Sequence, residues 1–152
     1  MLKVKLLDPD AKAPTVAHPG EDIGYDLYAL EDTLLFSWKT TAVSTGIAAA
    51  AYRKTFATTE GLIPAGLLIR DRSSMASKGI LTHGGVIDAG YRGEIKVLMS
   101  VIGLKHDEFY RIKAGDKIAQ MVPVAVLTGE VEAVDELQEA SRGTRGFGSS
   151  GK

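Results

Sequence analysis

An arginine followed by two serines, Arg72-Ser73-Ser74, stands in the run DRSSMASKG at positions 71–79. These are the parts of an anion cradle: a guanidinium that grips a phosphate through two N–H groups, two hydroxyls, and the free N–H groups opening a short helix. The same serines could instead do no more than cap that helix. No Gly-rich loop ending in Gly-Lys-Ser is present and no GxGxxG follows a strand, so neither a P-loop nor a dinucleotide fold of the usual kind is supported.

The run GGVIDAGYRGEIKV, positions 84–97, reads as a hairpin in which Val86 and Ile87 face Ile95 and Val97 across a glycine-containing turn. Asp88 follows the apolar pair and is expected to be partly desolvated, as suits a general base or a water-orienting group; the alternative is a turn aspartate bonded to its own backbone. Tyr91 is either a ligand-facing ring or a rim aromatic with its hydroxyl in water. In YRIKAGDKIAQMVPV, positions 110–124, Lys113 to Asp116 makes a turn and Ile118 to Val124 a strand. On that strand Gln120 is an amide among apolar neighbours and must find partners, either backbone groups or a ligand. Asp26, in EDIGYDLYAL, is a strand residue that faces solvent or helps hold a hydrated Mg²⁺ beside phosphates.

The elements that would carry these groups are short. Apolar bursts with β-branched and aromatic content cover Lys3–Leu7, Tyr25–Leu30, Thr33–Trp38, Ala42–Ala50, Gly66–Ile69, Val86–Ile87, Glu94–Ile102 and Ile118–Leu127. Gly, Pro and Asp turn signals separate them, and no apolar stripe of helical period is sustained over three turns. One short helix, Ser73–Lys78, is expected, with serine at its start and Gly79 at its end. The fold class that follows is all-β, a sandwich or barrel of the jelly-roll kind.

Composition narrows the partners. The 152 residues suit one domain, and 18 lysines and arginines balance 19 aspartates and glutamates, so no overall basic field favours a nucleic-acid polymer. Zero cysteines remove disulfides and thiolate chemistry, and His18, His83 and His106 have no zinc spacing. No apolar run approaches the roughly 18 to 20 residues of a membrane helix. The strand-like start MLKVKLLDPD lacks a secretory pattern, so a cytoplasmic address is expected.

Composition shifts near Ala140. An acidic strip with Glu130, Glu132, Asp135, Glu136 and Glu139 gives way to SRGTRGFGSSGK, which has four glycines, three serines and Phe147 as its only large apolar residue. Residues 1–140 therefore read as the domain and 141–152 as a mobile arm, either a plain tail or one that orders over a ligand.

Taken together and in order, PGEDIGYDLYA (19–29), DRSSMASKG (71–79), GGVIDAGYRGEIKV (84–97), GDKIAQM (115–121) and RGTRGFGSSG (142–151) resemble the five motifs of the trimeric dUTP diphosphatases, the dUTPases. The resemblance implies a jelly-roll-like β barrel with a flexible C-terminal arm, a homotrimer with shared active sites, and Mg²⁺-dependent hydrolysis of dUTP to dUMP and pyrophosphate. Such an enzyme supplies dUMP for thymidylate synthesis and limits uracil incorporation into DNA. By position, Asp88 would activate the water that attacks the α-phosphorus. Tyr91 would exclude a 2′-hydroxyl, and Gly85, Val86 and Ile87 would bond the uracil edge, with Thr82 and Lys96 flanking the pocket. Arg72, Ser73, Ser74 and Gln120 would hold the phosphates, and Asp26 would touch Mg²⁺ through water. Arg142 and the Ser149-Ser150 pair would close over the γ-phosphate while Phe147 stacks on the base, with Gly148 also among the substrate-binding residues. Thr82 stands where bacterial relatives often carry asparagine, and the 52–60 connection is longer than usual.

Two rivals remain. A dCTP deaminase shares the barrel and the Arg-Ser-Ser motif, but tends to carry tryptophan where this chain has Tyr91 and lacks the Phe147 arm. A non-catalytic regulatory binder could use the 52–60 loop to hold a protein partner.

Overall fold

The structure is a computed structural model that describes residues 1–54, 62–136 and 138. Eleven strands and one helix are found among them: β1 (Leu2–Leu6), β2 (Tyr25–Tyr28), β3 (Thr33–Phe36), β4 (Thr41–Ser44), β5 (Ile47–Lys54), β6 (Leu62–Arg70), α1 (Ser73–Ala76), β7 (Ile80–His83), β8 (Val86–Ile87), β9 (Lys96–Val101), β10 (Phe109–Ile112) and β11 (Lys117–Ala125). A large antiparallel sheet runs β1-β5-β6-β11-β2 with β8 added to β6, a second is β4-β9-β7, and β3 pairs with β10. The expected all-β, jelly-roll-like class holds. No helix among the described residues is long and apolar enough to cross a membrane.

Alternation places the core. In β9, Val97, Met99 and Val101 are buried while Lys96 and Leu98 face outward. They join Leu27, Leu35, Val43, Ile47, Ile80, Ile112, Ile118 and Met121 in one cluster fed by all three sheets. At about 1.5–3 kcal/mol per fully buried large aliphatic side chain, this cluster outweighs every surface ion pair as a source of stability.

Several expectations are corrected. Val86 and Ile87 do not pair with Ile95 and Val97. They lie on β6, with Leu67 opposite Ile87 and Leu68 opposite Val86, while Val97 lies opposite Val43. The cause is backbone satisfaction: β5 covers β6 only from Leu62 to Ala65, and the edge groups farther along need another partner. Ile95 N–H instead donates to Ile47 O at 2.8 Å. The Ala42–Ala50 run is broken into β4 and β5 at Thr45-Gly46, where Gly46 takes φ 67° and a Cβ would meet the Ala11 methyl. Helix α1 is capped by the backbone of Arg72, whose side chain makes no capping bond, so the serines occupy the first turn instead. Strands β7 and β10 add to the expected set; each is only four residues long, too short a run for an alternating pattern to declare itself. Trp38, read as the end of a strand, sits in the following turn at φ 62° and is 83% exposed.

One glycine is a structural requirement of the site. Gly85 O accepts from Ile69 N–H at 2.7 Å, and a Cβ on Gly85 would collide with the backbone carbonyl oxygen of Ile69. Gly85→Ala is expected to cost about 1–3 kcal/mol by forcing β8 off β6, read as a lower denaturation midpoint at unchanged slope.

Candidate functional site

Strand β11 organises the site through a bulge. Its pairing with β2 shifts register between Lys117 and Ala119. The irregularity buries two successive residues, Ile118 and Ala119, and so breaks the strict alternation of faces. Lys117 and Gln120 thereby reach the same cleft although their spacing would put them on opposite faces of a regular strand.

That cleft, of about 500 Å³, is lined by Asp22, Gly24, Asp26, Arg72, Ser73, Lys117 and Gln120. Asp26 sits at its centre between two cations: Arg72 Nε donates to Oδ1 at 2.9 Å, and Lys117 Nζ lies 2.7 Å from Oδ2. Arg72 is fixed further by bonds from Nη1 to Ser74 Oγ and to Lys117 O, both 3.3 Å. Pairs this open to water add little to folding stability; their effect is to aim the cations. The Lys117 ammonium is held above its ordinary pKa, first by its hydrogen bond to Asp26 and then by the attraction between the two charges, with Arg72 opposing. Gln120 finds a backbone partner, Nε2 donating to Asp71 O at 2.9 Å, and it also lines the cleft.

A second cavity, of about 420 Å³, lies on the other side of the Asp71-Arg72 step. Leu68 to Asp71 and Leu81 to Val86 line it. Thr82 joins it through Asp71, whose Oδ1 accepts from both Thr82 N–H and Thr82 Oγ1 at 2.6 Å.

The predicted residues therefore divide. Asp26, Arg72, Ser73 and Gln120 meet in the cleft, with Ser74 bound to Arg72; Thr82, Gly85 and Val86 line the second cavity. Ile87 is half-buried in β8. Asp88, Tyr91 and Lys96 line neither space. Asp88 is exposed, which corrects the expected partial desolvation: the hairpin that would have shielded it does not form, and Val86 beside it is 72% exposed. Tyr91 Oη donates to Glu94 O at 3.0 Å, and Lys96 pairs with Glu94 at 3.3 Å. Arg142, Phe147, Gly148, Ser149 and Ser150, with the rest of the 141–152 arm, lie outside the described residues, as does most of the 52–60 loop. Sequence reasoning missed Lys117 and Asp71. The first falls between the expected turn, Lys113 to Asp116, and the expected strand, Ile118 to Val124; the second was overshadowed by the arginine and serines after it.

The family model described as dUTPase matches residues 10–151. The chain belongs to the dUTPase family. It is 40% identical to the deoxyuridine 5′-triphosphate nucleotidohydrolase of Picosynechococcus sp., covering 99% of this chain and 98% of that protein. It is also 40% identical to the enzyme of the same name from Clostridium tetani, covering 99% and 97%. Among solved structures it resembles the Staphylococcus bacteriophage 80alpha dUTPase with dUPNHPP, at a TM-score of 0.80 and 28% identity over 100% of this chain and 99% of that one. A variant dUTPase from phage phi11 of S. aureus, whose structure reveals the coordination of a structural Mg(II) ion, matches at a TM-score of 0.72 and 27% identity over 90% and 97%.

Asp26→Asn should lower the Lys117 pKa toward the ordinary 10.5 by weakening the bond that raises it. NMR titration of the lysine side chains checks this; an unmoved Lys117 would remove Asp26 as the cause.

Proposed function

We propose that the chain hydrolyses dUTP to dUMP and pyrophosphate. The reading is carried by the meeting of Asp26, Arg72, Ser73, Lys117 and Gln120 in one cleft that adjoins, through Asp71, the cavity walled by Thr82, Gly85 and Val86. Family membership supplies the substrate class. A triphosphate in the cleft is gripped by the Arg72 guanidinium, the Ser73 and Ser74 hydroxyls and the first-turn N–H groups of α1. The base enters the second cavity, where the backbone of Gly85 to Ile87 offers its pairing edge.

Asp88 takes the proton of a water whose oxygen forms a bond to the α-phosphorus. The bond from that phosphorus to the α,β-bridging oxygen breaks, and pyrophosphate leaves with the electron pair. Tyr91 lies against the deoxyribose. The exposure of Asp88 and Val86 in a single chain supports a homotrimer in which other subunits, and the 141–152 arm with Arg142, Phe147, Ser149 and Ser150, complete and close the site.

Mg²⁺ bound to the phosphates would offset the negative charge that grows on the leaving group. The described residues fit a cation borne by substrate. No group of three or more histidines or acids among them could hold a metal ion, while Asp26 faces the phosphate cleft and can act through water.

Incubation with Mg²⁺ and, separately, dUTP, dCTP, dTTP and UTP should release pyrophosphate from dUTP alone. Ammonia from dCTP would transfer the assignment to the deaminase, and no reaction with any of the four would favour a regulatory binder. Asp88→Asn should lower kcat by at least about 100-fold with nucleotide binding kept; a near-normal rate excludes Asp88 as the base. A chain ending at Ala140 should keep its fold and lose most turnover, measured against the full chain by circular dichroism and pyrophosphate release.

A further inference from the structure

Thr82 supplies the hydroxyl in the wall of the second cavity, and that hydroxyl is already committed. Its Oγ1 donates to Asp71 Oδ1 at 2.6 Å, and the same carboxylate oxygen accepts Thr82 N–H at 2.6 Å, which fixes the residue in place. A free hydroxyl rotates and can either donate or accept. Here the single proton is held by a group that, when ionised, can only accept, so any bond Thr82 Oγ1 makes to a ligand in that cavity is one it accepts. His83, on the same wall, is turned to Ser100, with Nε2 2.7 Å from Oγ.

We infer that Asp71 is a specificity-determining positioning residue, which locks the Thr82 hydroxyl as a one-way acceptor for the ring N3–H of uracil. The inference rests on the dUTP reading above and assigns one element of its base selection. Along the pairing edge, uracil offers acceptor, donor, acceptor; cytosine offers acceptor, acceptor, donor. At N3 a locked acceptor meets a proton from uracil and a lone pair from cytosine. Released from Asp71, the hydroxyl could turn its proton toward cytosine N3, and the discrimination at that point would fall. A site with fixed hydrogen-bond polarity rejects a mismatched base because both buried groups are left unpaired.

The experiment is the ratio of kcat/KM for dUTP to that for dCTP, measured by pyrophosphate release. Asp71→Ala should lower the ratio about tenfold, and Asp71→Asn, which keeps an accepting oxygen, should restore most of it. Thr82→Val should lower the ratio to a similar extent, Thr82→Ser should keep it, and Asp71→Ala added to Thr82→Val should lower it no further. A merely structural Asp71 would cost both substrates in proportion, and a ratio unmoved by Asp71→Ala overturns the inference. If Asp71→Ala does not fold, the Thr82 pair decides: a ratio lost in valine and kept in serine supports the lock, and an unchanged ratio in valine overturns it. Wild-type protein that leaves dUTP intact would sink the proposed activity itself. An active wild type with unmoved ratios sinks the Asp71 assignment alone.

Discussion

Strand β6 must satisfy its backbone hydrogen bonds along both edges, and the site is a consequence of how it does so. One edge is taken by β11 from Ala65 to Arg70. The other is divided: β5 covers Leu62 to Ala65, then β8 covers Leu67 and Leu68. An unpaired buried amide costs more than the strain of bringing in a two-residue strand. β8 is therefore held against β6 by the same requirement that holds the sheet together. The chain leaves β6 at Arg70, and the next two residues, Asp71 and Arg72, line the second cavity and the cleft respectively. One dipeptide, Asp71-Arg72, thus links the two halves of the candidate site.

Chemistry in the cleft is organised by charge more than by burial. Asp26 is held between Arg72 and Lys117, so each cation is already directed inward. The bulge in β11 makes this possible, since it allows Lys117 and Gln120 to share one face. The glycine at position 24 completes the arrangement: a Cβ there would stand 3.1 Å from Gln120 Oε1 and crowd the amide.

Fold class, the helix location and most strands were legible in the sequence, because alternation and turn residues are local signals. The candidate residues were legible as motifs, and Asp26, Arg72, Ser73 and Gln120 do share a cleft. Partnering was not legible. Val86 and Ile87 carry the pattern of a hairpin arm, yet nothing local reveals that Leu67 and Leu68 lack a neighbour on that edge. Lys117 could not be found by alternation because a bulge is invisible to a period of two. Asp71 owes its place to contacts with Thr82 and Gln120, residues distant in sequence, and its identity alone suggests only a turn. The expected shielding of Asp88 failed together with the hairpin on which it rested.

Trp38 is the protein's sole tryptophan, and it sits almost fully in water on the turn after β3. Its indole emission should already resemble that of the unfolded chain, which makes it a poor optical gauge of denaturation. For the same reason it is a sensitive one for association: anything that covers that turn would shift the emission to the blue and protect it from a soluble quencher.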